Sequence, residues 1–363
     1  MESAEVVIAG GGALGASVAW HLAELGITDV VLLERETLAS GSTSRSAGGF
    51  RMQFGDELNV RIALRSLREL EEMGEEIELR QWGYLFLLDR PEDVEAFRSA
   101  LAMQQALGVP ARELSPGEAQ ELVPQLELDG VLAATFCGLD GYCSPEGVVQ
   151  WYARGAAGRG VRIRQGCELT GVRVERGRIE GVETSSGAIA TTTLVCTAGA
   201  WSADIAALAG VELPVRGEPR HMWFSPADGG LPEELPLTID FSTSFYFHRE
   251  GQGLVFGGKE PRLEEVAEHA ARRLPVLADL PIASSWWGYY DDSPDANALV
   301  GESDRVARFL YATGFSGHGF QQAPAVGEHV AELIAGRTPA LDLSAFDVGR
   351  FARGAERRET LVI

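Results

Sequence analysis

Val6–Arg35 reads VVIAGGGALGASVAWHLAELGITDVVLLER, and this stretch decides the fold. Val6–Ala9 is an apolar run long enough for a buried strand and too short for a membrane span. Gly10-x-Gly12-x-x-Gly15 follows, then an alanine-rich helical pattern (Ala16, Ala19, Trp20, Leu22, Ala23) and a break at Gly26. A second apolar run, Val30–Leu33, ends at Glu34. Each part has a physical task in a βαβ dinucleotide cradle. Gly10 permits the tight turn, Gly12 lets backbone N–H groups approach a pyrophosphate, and Gly15 lets the helix lie close against the strand. The helix N-terminus offers unpaired donors and a positive dipole end to the phosphates. Glu34 stands where a carboxylate accepts hydrogen bonds from an adenosine ribose. The competing reading of the glycines is a strand–turn–helix that binds nothing; the flanking strands, the helix and the terminal acid favour the cradle.

Outward from this stretch, the chain of 363 residues has room for two domain-sized units. A net charge of −22 argues against nucleic acid or an anionic membrane as the main partner, and leaves room for a local positive pocket. Lysine occurs once, at Lys259, so a lysine-dependent mechanism has a single candidate position. Cys137, Cys143, Cys167 and Cys196 show neither a CxxC pair nor zinc spacing, which fits free thiols in a reducing compartment. Glu2 and Glu5 stand where a signal peptide would be basic, and no stretch is long enough to cross a bilayer. No transmembrane segment is expected, and the expected location is cytoplasmic.

After Glu34 comes LASGSTSRSAGGF (Leu38–Phe50), small and hydroxylated, with no apolar periodicity. Following the ribose acid directly, Ser42, Thr43 and Ser44 can donate to phosphate oxygens, and Gly48–Gly49 lets backbone approach a flat ring; a solvent-facing loop is the bland alternative. Arg45 and Arg51 flank these glycines, and an arginine there can clamp a carboxylate. Helical spacing begins at Glu57, GYLFLL (Gly83–Leu88) reads as a strand, and Pro91–Leu107 as an amphipathic helix. Ser115 with Glu118 signals a capped helix, and another begins near Ser144. The turns Arg176-Gly177 and Ser186-Gly187 mark a β-meander, followed by an apolar strand at Leu194–Thr197 and a tight turn, Ala198-Gly199-Ala200-Trp201. Pro214–Asp292 is rich in aromatic strand-like segments, interrupted by a helix near Leu263–Leu274. The chain then returns to a strand at Phe309–Ala312, a glycine-rich turn at Gly314–Glu328 and a helix ending at Gly336. The charged tail Arg350–Glu359 reads as solvated.

Three glycine-rich strand-to-helix turns meet if one sheet is built discontinuously. The motifs GGGALGASVAWHLAELG with LLER, GSTSRSAGGFRMQFG, LVCTAGAWSADIAALAGVELPV, YYDDSPDANALVGE and YATGFSGHGFQQAPAVGEHVAELI fall in order along nearly the whole chain. In them the chain resembles the D-amino-acid oxidase superfamily, in the branch of sarcosine oxidases, sarcosine oxidase β subunits, proline dehydrogenase β subunits and dimethylglycine dehydrogenase. The resemblance implies an α/β fold: a Rossmann-like FAD-binding domain with an inserted antiparallel β-sheet substrate domain of α+β character. The expected ranges are 1–80, 145–213 and 295–363 for the first, and 81–144 and 214–294 for the second.

The resemblance also implies FAD on Gly10, Gly12, Ala13, Leu14, Gly15, Glu34 and Arg35, with Ser42, Thr43, Ser44, Arg45, Ala47, Gly48 and Gly49 around it. Val172, Ala198, Gly199 and Trp201, and Gly314, Gly317, His318, Gly319, Phe320 and Gln321, complete the implied cofactor set. The implied chemistry is hydride transfer from the carbon beside an amine to flavin N5, giving an imine that hydrolyses. Arg51 matches a carboxylate-binding arginine and Tyr246 an active-site tyrosine, though a sheet-core tyrosine would fit Tyr246 too. Trp287, Tyr290 and Gln321 are further candidates for lining the substrate pocket.

Departures from the family pattern shape the expectation. The place of the flavin-linking cysteine, near Gly288, holds none, so FAD is expected to be non-covalent. Val255 replaces the strand lysine used for oxygen activation, leaving Lys259 as the single catalytic stand-in. The reading is an amino-acid or amine oxidoreductase acting on a small secondary or N-methyl amino acid, sarcosine- or proline-like, with O2 or another electron acceptor. One rival is the flavin-bearing β subunit of a heteromeric dehydrogenase, passing electrons to a partner subunit. The other is a non-catalytic flavoprotein.

Overall fold

The computed structural model describes residues 2–362. Its first sheet has six strands in the order Leu299–Glu302, Phe309–Thr313, Thr193–Cys196, Val6–Ala9, Val30–Leu33 and Arg162–Arg164. All neighbours run parallel except the first pair. The unbroken apolar run Val6–Ala9 is explained by its place in the middle. Val6 and Ile8 pack with Val18, Leu22, Val326 and Val330 of the helices Ala13–Glu24 and Gly319–Ile334. Val7 and Ala9 pack on the opposite side, with Leu169, Ile179, Val182 and Ile189. A strand covered on both faces has no polar side to present, so alternation disappears.

That second cover is a four-stranded sheet in the order Glu2–Ser3, Gly187–Ala190, Arg178–Thr184 and Leu169–Glu175. Its hairpin turns at Arg176-Gly177, both at positive φ (50° and 73°), the conformation a tight two-residue turn requires. The expected meander is present.

The aromatic segments form an eight-stranded sheet in the order Ser284–Asp292, Arg216–Ser225, Gly253–Gly258, Phe245–Glu250, Leu237–Asp240, Tyr84–Leu88, Ala133–Cys137 and Arg112–Leu114. It is not wholly antiparallel: Leu237–Asp240 runs parallel to Tyr84–Leu88. These two strands are joined by a long excursion through other elements, the condition that permits parallel pairing. Tyr84, Phe86 and Leu88 enter one apolar cluster while Leu85 and Leu87 enter another, so each face of the sheet carries its own core. The face bearing Tyr84 turns toward the first sheet.

Helix signals hold closely: Glu57–Met73, Pro91–Ala106, Pro116–Leu122 with its Ser115–Glu118 capping box, and Pro145–Gly158 capped by Ser144. The tail departs from expectation. Residues 352–358 are exposed, but the ends of the segment are fastened to the body. Arg350 is 1% exposed and makes a two-pronged pair with the Asp295 carboxylate at 2.7 and 2.8 Å. Glu359, also 1% exposed, accepts from the Gly55, Asp56 and Leu361 N–H groups and from the Asn59 amide. Charge alone read as solvation; tertiary partners buried these two residues.

Candidate active site

A cleft of about 420 Å³ lies between the first sheet and the eight-stranded sheet. At one end stand Glu34, Arg35, Glu36 and Cys167–Leu169; at the other stand Tyr84, Arg220, Met222, Tyr246 and Tyr290. The three glycine-rich turns border it, brought together because their strands are neighbours in the first sheet.

The first turn is built for close approach. Gly10 has φ +115°, and a Cβ there would lie 2.5 Å from the Thr197 carbonyl oxygen of the middle turn. A Cβ on Gly15 would overlap the Gly10 carbonyl, so Gly15 works beneath the cleft rather than on its wall. Gly12 begins the helix Ala13–Glu24 with no side-chain cap, leaving its first N–H groups toward the cleft, while the Ala13 N–H is shared with Thr43 Oγ1 at 3.2 Å. Leu14 lines the same wall. Both Glu34 oxygens are oriented by backbone donors, Oε2 by Gly11 N–H and Oε1 by Glu36 N–H, each at 2.9 Å. Arg35 lies 4.1 Å over the Trp201 ring and helps wall this end.

The following loop crosses to the aromatic sheet. Ser42 Oγ donates to the Tyr289 carbonyl at 2.6 Å, and Arg45 donates to the Trp287 carbonyl at 3.0 Å. The Arg45 stem fills the space a side chain at Gly288 would need, its Cβ standing 2.9 Å from where that Cβ would sit. Thr43, Arg45, Ala47, Gly48 and Gly49 line the cleft; Ser44 does not, and its N–H closes a turn onto the Ala39 carbonyl. Ala198, Gly199 and Trp201 of the middle turn also line it.

In the last turn Gly314 is structural. Its N–H donates to Asp291 Oδ2 at 2.8 Å, and it lies off the cleft. Burial pushes the Asp291 carboxyl up to about 6, against the pull of N–H donors that include Gly314. Gly317, at φ +92°, leaves room for the Tyr290 ring, which a Cβ would meet at 2.5 Å. Gly317, His318, Gly319, Phe320 and Gln321 all reach the cleft, and the helix Gly319–Ile334 starts there without a side-chain cap. Burial, then the Arg51 charge, hold the His318 imidazole well below its usual range. It is neutral, and Nε2 accepts from the Arg51 guanidinium at 3.2 Å.

Arg51 is 4% exposed and heavily committed. It donates to the carbonyls of Gln53 and, at 2.6 Å, of Leu361 in the tail. Its backbone N–H donates to Gln321 Oε1 at 2.6 Å, so Gln321 spends its amide oxygen holding this segment. Asp140 braces the same loop, accepting from Met52 N–H and from Gln53 Nε2, both at 2.9 Å.

Tyr246 and Tyr290 hang from the roof into the cleft, and Trp287 stands at its rim, 42% exposed. Tyr246 is at once a core residue and a cleft residue, its hydroxyl lying 2.7 Å from where a Gly257 Cβ would be. Two further expected residues, besides Gly15, Ser44 and Gly314, lie off the cleft. Lys259 is exposed, one residue beyond the strand Gly253–Gly258, and does not border the cleft. Val172 lies mid-strand in the apolar packing beneath; Leu169, at the start of that strand, borders the cleft instead. Sequence reading missed Tyr84, Met222, Leu237 and Arg220. Period-two spacing along their strands was the available sign, but it does not say which face looks at the cleft.

A family model described as DAO, FAD dependent oxidoreductase, matches residues 5–333. The chain belongs to this family. Human mitochondrial sarcosine dehydrogenase is 30% identical over 96% of this chain, which spans 41% of that protein's length. Sarcosine oxidase subunit beta of Rhizobium meliloti (strain 1021) is 30% identical, over 96% of this chain and 89% of the relative. The crystal structure of L-proline dehydrogenase from P. horikoshii superposes with a TM-score of 0.92 at 34% identity, covering 98% of this chain and all of that one. The DAO-family fold and membership among FAD-dependent oxidoreductases follow. The cradle fits FAD on its own terms: uncapped helix starts face the cleft, and the closest approaches occur at glycines whose Cβ would overlap neighbouring backbone. No helix among the described residues is long and apolar enough to cross a membrane.

Proposed function

We propose that the chain oxidises the C–N bond of a small secondary or N-methyl amino acid, sarcosine- or proline-like. The observation that carries this reading is the cleft itself, which runs from the oriented Glu34 carboxylate to a roof of tyrosines and a methionine with the buried Arg51 and half-buried Arg220 beside it. When bound, FAD supplies the two-electron acceptor for a hydride from the carbon beside the amine, and the imine product hydrolyses in water. The chain's residues bind, orient and shield. Arg51 supplies positive potential toward the substrate carboxylate. Neutral His318 adds no competing charge, and Tyr84, Met222, Tyr246 and Tyr290 exclude water and limit substrate size. The N-terminus of Gly319–Ile334 directs unpaired N–H groups to where negative charge builds on reduction.

Several finer points belong to this proposal. The assignment of 1–80, 145–213 and 295–363 to a cofactor domain, with the remainder to a substrate domain, is supported by sheet membership: every strand of the eight-stranded sheet falls in 81–144 or 214–294. Non-covalent attachment is supported by four buried cysteines, of which only Cys167, at the ribose end, borders the cleft, and by the Arg45 stem over Gly288. Four free thiols also suit a cytoplasmic location.

A second reading, a β subunit that passes electrons to a partner rather than to oxygen, is favoured by Val255. That residue is 2% exposed among apolar neighbours, with Lys259 outside the cleft. Anaerobic mixing of the yellow protein with a panel of amino acids, followed by air, separates these readings. Bleaching by a secondary amino acid and slow recovery in air, accelerated by an artificial acceptor dye, is the expected result. No bleaching by any amine or amino acid would sink the catalytic reading.

A further inference from the structure

Four arginines reach the cleft: Arg35, Arg45, Arg51 and Arg220. Arg35 stacks on Trp201 at the ribose end, remote from the tyrosine roof. Arg45 is exposed, donates to the Trp287 carbonyl and packs its stem over Gly288 at the rim. The Arg51 guanidinium donates to the carbonyls of Gln53 and Leu361 and to His318 Nε2, which commits three of its five N–H groups to the chain itself.

Arg220 differs from all three. It sits on the strand Arg216–Ser225, directly across from Gly288 and two residues before the cleft-lining Met222. Its guanidinium carbon lies 4.8 Å from the centroid of the Tyr290 ring, within cation–π range. It donates once, at 3.1 Å, to the carbonyl of the adjacent Pro219. Its acidic neighbour Glu218 is 3.5 Å away and has a side chain 55% exposed, against 16% for Arg220. Such a surface pairing is worth little and is readily given up. A planar fork with most of its donors uncommitted, held beside an aromatic ring at the wall of a largely apolar cleft, suits a carboxylate.

We infer that Arg220 is the residue that binds the substrate carboxylate directly, while Arg51, locked by its own acceptors, provides fixed background charge and holds the turn. The inference rests on the amino-acid oxidation reading and refines its substrate end: a carboxylate approaching from the sheet would leave the amine-bearing carbon over the floor near Gly317–Gly319. Substrate selection would then lie in the Arg220–Tyr290–Met222 wall.

The test uses FAD-loaded protein carrying Arg220→Gln, Arg220→Lys or Arg51→Gln. Calorimetric binding of pyrrole-2-carboxylate, an inert proline-shaped acid, is measured beside its uncharged amide, together with anaerobic flavin bleaching by proline and sarcosine. Losing a charge-assisted pair should weaken acid binding by roughly 30-fold or more in Arg220→Gln. Amide binding and FAD content should stay within about twofold, and Arg220→Lys should recover part of the loss. Equal weakening of acid and amide, unchanged acid binding, or loss of FAD in Arg220→Gln would overturn the assignment, as would acid binding lost only in Arg51→Gln. If the wild-type flavin bleaches with no amino acid while acid binding still depends on Arg220, the oxidation reading fails and the anion site stands.

Discussion

Glu359→Ala tests whether the tail is part of the folded body. The carboxylate serves four N–H donors: Gly55 at 2.8 Å, Leu361 at 2.9 Å, the Asn59 amide at 2.9 Å and Asp56 at 3.1 Å. Removing it leaves these donors facing a void and strips the Asp56–Leu58 turn, which starts the helix Glu57–Met73, of its outer acceptor. A buried donor left unpaired costs about 1–3 kcal/mol. Residues 352–358 are exposed, so water can reach the Gly55 and Asp56 side. The Asn59 and Leu361 donors, both buried, then dominate, for a total of about 2–6 kcal/mol. For a chain of this size that lowers the melting temperature by roughly 3–8 °C. Flavin fluorescence on heating reads this directly, and trypsin cleavage at the exposed Arg353, Arg357 and Arg358 should quicken as the tail loosens. Glu359→Gln, keeping one acceptor oxygen, should fall between. A melting temperature within about 1 °C of wild type, with unchanged tail cleavage, would refute docking of the tail.

Two other outcomes follow from the same geometry. In Gly15→Ala the new Cβ overlaps the Gly10 carbonyl, so helix and turn must separate; overpacking of this kind costs about 1–3 kcal/mol and misplaces the phosphate donors. Acid precipitation of wild type should release all its flavin into the supernatant, while Gly15→Ala should carry little; yellow pellets, or full loading of the variant, would count against this. Burial above all raises the Asp140 carboxyl to about 7, although the Gln53 amide and Met52 N–H pull it down. Between the ordinary carboxylate range and about 7 the folded chain keeps a proton that the unfolded chain releases, so stability falls as pH rises through that window, by at most roughly 1.4 kcal/mol per pH unit. Asp140→Asn cannot ionise and should flatten that part of the denaturation profile; an identical slope in both proteins would refute the assignment.

Much of the cofactor end was legible because its constraints are local. Gly10, Gly12 and Gly15 act within one turn, and Glu34 ends the next strand, so spacing along the chain reports spacing in space. The substrate end was not legible in this way. Arg220 lies in the eight-stranded sheet and Arg51 in the loop after Phe50, and which of them is free depends on who else bonds to them. Nothing near Arg51 in the chain announces that Leu361 will accept from it. Lys259 looked like a stand-in for a missing lysine by proximity along the chain, yet it passed the end of its strand and faced out.

The sequence by itself determined the cradle, the order of strands and helices, and the absence of any cysteine at Gly288. These follow from backbone freedom, apolar periodicity and residue identity. Tertiary structure alone decided which cations stay available in the cleft, that the charged tail is anchored, and that Val172 is packing while Leu169 borders the site. Those outcomes depend on competition among partners distant in the chain, and hydrogen-bond satisfaction is settled only once all the partners have met.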